Sequence, residues 1–204
     1  MIVGNGMLAK ACERWKDDFG VLIFASGVSD PHCRKHEEFM RELELLQNCR
    51  KEVIPDVLLV YFSTTAVEDP KRVGSPYALH KLNMEYYIEN HFKNYLILRL
   101  PVVVGPDMNS HTFVSKFREW IKEEKRFTVQ SNVVRELLDV ENLVKFIEDR
   151  IAESRYGSFS INGIPTTPCD VAIILEGIMK KPAMFAQEGI TKMQVKDLLE
   201  KYHV

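Results

Sequence analysis

Two apolar runs, residues 57–62 and 95–100, bracket a stretch that begins Ser75-Pro76-Tyr77-Ala78-Leu79-His80-Lys81. Ser75-Pro76 is a cap followed by a proline in the first turn, so a helix is expected from here to about His91. Strand, helix, strand is the order of a parallel pair joined by a crossover. Apart from Arg99, both runs are apolar rather than alternating. Such strands are buried on both faces, so helices must cover both sides of the sheet. This single stretch therefore predicts an α/β architecture.

Tyr77 and Lys81 are four residues apart on that helix and share a face. Ser63-Thr64-Thr65 ends the strand before it, so Thr65 is placed to reach the same crevice. A phenol, an ammonium and an aliphatic hydroxyl form a set suited to moving a proton to or from a substrate hydroxyl. A free phenol has a pKa of about 10, and a neighbouring ammonium favours the phenolate. Thr65 would hold the substrate oxygen for hydride transfer. The bland alternative is an amphipathic helix with a half-buried tyrosine and a solvated lysine.

The short apolar run Met1-Ile2-Val3 leads into Gly4-Asn5-Gly6-Met7-Leu8-Ala9, a Gly-x-Gly-x-x-Ala turn opening a helix with Met7, Leu8, Ala11 and Trp15 near one face. Strand, glycine turn, helix is the context in which backbone approaches a pyrophosphate at a helix N-terminus. The alternative is a plain tight turn. Residues 21–25 form the second strand, followed by the loop Ser26-Gly27-Val28-Ser29-Asp30-Pro31. Residues 33–49 read as a helix whose charge run is most simply a solvated face. Past Pro106, helices are expected over 113–124, 168–179 and 191–202, strands over 127–129 and 157–161, and a strand end plus helix over 137–152. No repeat or long linker divides the chain. It reads as one domain, 1–204, with a core over 1–106 and a mixed C-terminal part over 107–204.

The formal net charge of −2 argues against nucleic acid or an anionic membrane as a general partner. No apolar run reaches bilayer length, and the first residues lack the basic and apolar regions of a leader. Cys12, Cys33, Cys49 and Cys169 have no paired spacing and read as reduced thiols, which points to the cytoplasm and away from a zinc site.

These pieces resemble the extended short-chain dehydrogenase/reductase family, the nucleoside-diphosphate-sugar epimerases and dehydratases. The resemblance rests on Gly4-x-Gly6-x-x-Ala9, Phe24-Ala25-Ser26-Gly27-Val28-Ser29, Tyr61-Phe62-Ser63-Thr64-Thr65-Ala66-Val67 and Ser75-Pro76-Tyr77-x-x-x-Lys81. It continues through Leu98-Arg99-Leu100-Pro101-Val102-Val103-Val104-Gly105-Pro106 and Val134-Arg135-Glu136-Leu137-Leu138-Asp139-Val140-Glu141-Asn142-Leu143. It implies a Rossmann-like parallel sheet with flanking helices and a small C-terminal substrate-binding lobe. It implies NAD or NADP as cofactor and a nucleotide sugar as substrate. It also implies a homodimer built by the helices at 33–49 and 76–91, with Met84, Tyr87 and Ile88 as candidate interface or core positions.

By the resemblance, Tyr77 is the acid/base and Lys81 binds the nicotinamide ribose. Thr65 anchors the reacting hydroxyl, with Ser63 and Thr64 as competitors for that alignment. The turn from Gly4 through Asn5, Gly6, Met7 and Leu8 to Ala9 takes the pyrophosphate. Ala25, Ser26, Gly27 and Ser63 line the cofactor, and Pro101 and Val104 flank the nicotinamide. Arg135 binds the substrate diphosphate, or else pairs with Glu136 or Asp139 at the surface.

The family carries two further strands between the glycine turn and the Ala-Ser-Gly strand. Here about fifteen residues separate Ala9 from Ala25, so the sheet is expected to be shortened by about two strands. The adenosine half of the site is then abbreviated. Asp30 would be the ribose carboxylate only if residues 21–25 were the family's second strand, which the Ala-Ser-Gly-Val-Ser sequence argues against, and Arg34, Lys35 or His36 are the groups placed to approach the adenosine instead. The expected function is Tyr-Lys assisted hydride transfer on a nucleotide sugar. The competing readings are a nucleotide- or dinucleotide-binding regulatory module without turnover, and a scaffold whose partner completes the site.

Overall fold

A computed structural model describes residues 1–129, 133–184, 196 and 199–202. In chain order the elements begin with β1 (Ile2–Val3), α1 (Met7–Ala11), β2 (Val21–Phe24), α2 (His36–Glu52) and β3 (Leu58–Thr64). They continue with α3 (Pro76–His91), β4 (Asn94–Leu100), β5 (Val102–Val104), α4 (Phe113–Lys122) and β6 (Arg135–Asp139). The last are α5 (Val140–Ala152), β7 (Gly157–Ser160), β8 (Ile164–Thr166) and α6 (Pro168–Met179). The chain divides into two compact units, 1–100 with 141–161 and 101–140 with 162–204.

The first unit holds a parallel sheet of order β1-β2-β3-β4-β7. Every residue of β2 and six of the seven in β3 are buried, as continuous apolar strands in a covered sheet require. One core joins Leu22 and Phe24 of β2 with Leu59 and Tyr61 of β3, Leu46 and Cys49 of α2, and Met84 and Ile88 of α3. Phe146 of α5 meets Phe159 of β7 edge to face, with ring centroids 5.7 Å apart. The two-residue strand β1 lies at the edge of this sheet. That is the position expected when the strands that would lie beyond it are missing.

The second unit has a small sheet in which β6 pairs parallel with β5 and antiparallel with β8. Val104, Val114, Phe117, Ile121, Leu137, Ile174 and Leu175 are among its core residues. Thr167 and Asp170 form a reciprocal capping box that starts α6.

Two expectations need correction. Residues 127–129 are not a strand. Phe127 instead packs its ring on Phe117 and Trp120 of α4, at 5.0 and 5.2 Å, so burial of the aromatic side chain decides its backbone. The first helix ends at Ala11, and Trp15 is reached through a separate 3₁₀ turn, Glu13–Trp15. The helix expected over 191–202 lies outside the described residues except for 196 and 199–202.

Candidate functional site

Ser75 accepts the Ala78 N–H at its side-chain oxygen, 3.2 Å, with Pro76 behind it, so α3 starts where the sequence places it. Tyr77, Lys81 and Glu85 then recur every fourth residue and are all buried. Their face meets β3, on which Tyr61 and Ser63 are two residues apart. Two residues of strand and four of helix span about the same 6–7 Å, so the two series match. Lys81 Nζ donates to the Tyr61 hydroxyl at 3.0 Å, and Ser63 donates to Glu85. Strand register sets Arg99 of β4 beside Ser63. Its guanidinium grips Glu85, with Nη2 to Oε2 at 2.6 Å, and reaches Glu68 at 2.7 Å. The Glu85 hydrogen bond drives the Arg99 pKa further up.

Glu42 of α2 is the residue that sequence reasoning misplaced. It belongs to the charge run read as a solvated face, yet it is fully buried. Its Oε1 accepts from the Tyr61 hydroxyl at 2.6 Å and from Lys81 Nζ at 2.9 Å. Its Oε2 accepts from the Val28 N–H at 2.6 Å and lies 2.9 Å from His80 Nε2. A carboxylate only accepts, so that ring nitrogen carries the hydrogen, and all the acceptor positions of Glu42 are used. Burial alone would raise its pKa. The Lys81 ammonium, with the bonds from His80, Tyr61 and Val28, overcomes this and holds the carboxyl well below the usual range. Tyr61 moves the other way: burial first, then the Glu42 carboxylate, push its phenol well up. Only the i, i+4 spacing of Leu46 and Glu42, on the core side of α2, could have flagged Glu42.

The three hydroxyls after β3 divide their work. Ser63 is committed to Glu85, and Thr64 accepts the Ala66 N–H at 3.2 Å. Thr65 alone keeps its hydroxyl out of any hydrogen bond with a described residue. The 3₁₀ turn Thr65–Val67 packs through Ala66 and Val67 onto Ala78, the neighbour of Tyr77. The Tyr77 phenol, too, makes no hydrogen bond with a described residue, and it lies close enough to Tyr61 to act on that group's pKa.

Gly4, Asn5 and Gly6 are exposed, Met7 and Leu8 half-buried and Ala9 buried. Gly4 has φ +122°, and a Cβ there would lie 2.5 Å from the Ala25 carbonyl oxygen. Both the dihedral and the contact demand glycine. Gly4→Ala is expected to lower stability by about 2 kcal/mol or more, read as a lower urea midpoint with unchanged slope. At Gly6 a Cβ meets nothing, so backbone there is open to a ligand group. This open turn beside Ala25 and Ser26 fits a pyrophosphate. Across it, Arg41 Nη2 donates to the Ser26 carbonyl at 3.3 Å. A Cβ at Gly27 would sit 2.7 Å from Lys81 Nζ and 2.9 Å from Glu42 Oε1. Asp30 accepts the His32 N–H at 2.9 Å and shapes its own turn, while Arg34, Lys35 and His36 are exposed around the start of α2.

The remaining expected site residues lie in the second unit. Pro101 is half-buried before β5, and Val104 is fully buried within that unit's core. Arg135 is half-buried at the start of β6. Of its expected surface partners, Glu136 accepts the Gly163 N–H at 3.0 Å and Asp139 accepts from Lys201 at 2.9 Å. No cluster able to hold a metal occurs among the described residues. Burial pushes the Cys12 thiol up to about 12, which removes it as a nucleophile.

The model of the NAD dependent epimerase/dehydratase family matches residues 35–156. No curated protein matches. Among solved structures, UDP-glucuronic acid 4-epimerase from Bacillus cereus in complex with NAD aligns with a TM-score of 0.70 at 18% identity, over 98% of this chain and 75% of that one. UDP-N-acetylglucosamine 4-epimerase from Methanobrevibacter ruminantium M1, in complex with UDP-N-acetylmuramic acid, gives 0.69 at 16%, over 95% and 78%. UDP-glucose 4-epimerase from Thermus thermophilus, in complex with NAD, gives 0.63 at 14%, over 93% and 75%. At these identities the likeness is one of fold, a parallel sheet with flanking helices in a chain shorter than its neighbours.

Proposed function

Since the chain belongs to the NAD-dependent epimerase/dehydratase family, we propose that it binds a nicotinamide dinucleotide and carries out proton-coupled hydride transfer on a nucleotide sugar. The observation that carries this reading is the packing of the Thr65–Val67 turn, through Ala66 and Val67, on Ala78, which adjoins Tyr77 in sequence, with the Thr65 hydroxyl and the Tyr77 phenol both uncommitted among the described residues. Tyr77 takes the proton of a sugar hydroxyl and can return it. Thr65 hydrogen-bonds the same oxygen and orients it. Lys81 supplies positive charge next to the phenol and a hydrogen-bond donor for the nicotinamide ribose. The backbone from Gly4 to Ala9 cradles the pyrophosphate, and Ala25, Ser26 and Gly27 line the dinucleotide. When bound, the nicotinamide supplies the hydride acceptor. Arg135, in the second unit, carries the planar fork suited to a diphosphate.

The neighbouring epimerases with UDP-sugars support the substrate class. We further infer a homodimer through the apolar groove between α2 and α3, about 380 Å³, lined by Phe39, Met40, Leu43, Leu79 and Tyr87. No described helix is long and apolar enough to cross a membrane, and the free cysteines suit the cytoplasm.

A second reading, a dinucleotide-binding module without turnover, is favoured by the two-residue edge strand β1 and by a Lys81 already paired with Glu42. Calorimetric titration with NAD, NADH, NADP and NADPH tests both. Binding of one form, followed by turnover of a UDP-sugar, is the expected result. Binding with no turnover across such sugars selects the second reading, and no binding at millimolar cofactor overturns both.

A further inference from the structure

We infer that Glu42 is the positioning residue of this site: it locks the Lys81 ammonium and the Ser26–Val28 loop into one unit, which presents the nicotinamide end of a dinucleotide with a preset lysine. This rests on the dinucleotide reading above and adds to it a residue outside the Tyr-Lys-Thr trio.

The argument is geometric. Consecutive residues of α2 grip the loop on either side of Gly27. Arg41 Nη2 holds the Ser26 carbonyl at 3.3 Å, and Glu42 Oε2 holds the Val28 N–H at 2.6 Å. The other oxygen of Glu42 takes Lys81 Nζ at 2.9 Å, while Tyr61 accepts from the same ammonium at 3.0 Å. Lys81 lies over the Tyr61 ring at 5.0 Å from its centroid, a further restraint. An ammonium has three donors, so one remains after Glu42 and Tyr61 are served. Gly27 seats the loop directly on this ion pair, because a Cβ there would overlap Lys81 Nζ and Glu42 Oε1. A flexible four-carbon stem becomes a fixed donor, with its rotamer entropy lost on folding rather than on binding. A site trimmed on its adenosine side has particular use for such preorganisation at its other end.

The test uses Glu42→Gln, which keeps reach and loses charge, and Glu42→Asp, which keeps charge and loses reach. Circular dichroism establishes folding. Acetylation by acetic anhydride, read by peptide mass spectrometry, reports Lys81 against the exposed Lys71. NADH and ADP titrations separate the nicotinamide end from the pyrophosphate turn. In the wild type, Lys81 should react at least about tenfold more slowly than Lys71. In both variants that protection should fall and NADH affinity drop about tenfold, with ADP affinity unchanged. If Glu42→Gln does not fold, Glu42→Asp carries the same test. A folded Glu42→Asp with wild-type Lys81 protection and wild-type NADH affinity overturns the inference. So does an equal loss of NADH and ADP affinity, which is what a merely structural role predicts. A wild-type protein that binds neither ligand overturns the dinucleotide reading itself, while the acetylation result still reports separately whether Glu42 holds Lys81.

Discussion

Glu42→Ala should destabilise the folded protein by about 3–5 kcal/mol, the range for breaking a buried ion pair by removing one partner. Glu42 is fully buried, and Lys81 is 2% exposed. Truncation would leave an ammonium in the core without a counter-charge. It would also strip the acceptor from the Tyr61 hydroxyl and the Val28 N–H, neither of which can be reached by bulk water without opening the loop. The loss is the penalty of the orphaned groups rather than the net worth of the pair, so Glu42→Ala combined with Lys81→Met should recover much of it. Urea unfolding of the two variants measures the difference. A loss below about 1 kcal/mol for the single variant would mean that the cluster is solvated and not as tight as its distances.

The same carboxylate gives a pH dependence with a definite sign. Its folded pKa lies below its unfolded value, near 4.3. Its contribution is therefore complete at neutral pH and above the unfolded pKa. It is lost progressively as pH falls below about 4 toward the folded pKa, because the unfolded chain binds the proton first. Urea midpoints of the wild type between pH 7 and 3 should fall more steeply than those of Glu42→Gln.

Tyr77→Phe should lower turnover by about 10²–10⁴, the usual contribution of a positioned acid/base. Folding should be nearly unaffected, because the ring keeps its packing and the hydroxyl has no hydrogen bond to lose among the described residues. Cofactor affinity should also hold, since Lys81 stays with Glu42 and Tyr61. Stopped-flow or coupled measurement of nicotinamide reduction with a UDP-sugar, alongside calorimetry, separates the two effects. Turnover at the wild-type rate would remove Tyr77 from the proposed role. Loss of binding together with turnover would place the phenol in the binding surface instead.

Local chemistry made much of this protein legible. Ser75-Pro76 marks the start of α3 because a hydroxyl cap and a proline act within one turn. The spacing of Tyr77 and Lys81 marks one helix face because the α-helical period does not depend on what lies opposite. The continuous apolar runs of β2 and β3 announce a sheet covered on both faces, and the short distance between Ala9 and Ala25 implies the truncated edge at β1.

What occupies each face was decided only by tertiary packing. Glu42 sits among charged neighbours on α2, and only its i, i+4 spacing from Leu46 separates it in sequence from the solvated Glu37 and Glu44. Its burial depends on Tyr61, His80 and Lys81, residues 19, 38 and 39 positions away. Likewise Ser63 and Thr65 look interchangeable along the chain. Glu85 and the Ser63–Arg99 register commit the first and leave the second uncommitted. Periodicity, caps and turns act over a few residues, so sequence alone determined them. A buried charge is tolerable only where distant partners converge, and that convergence exists only once the chain has folded.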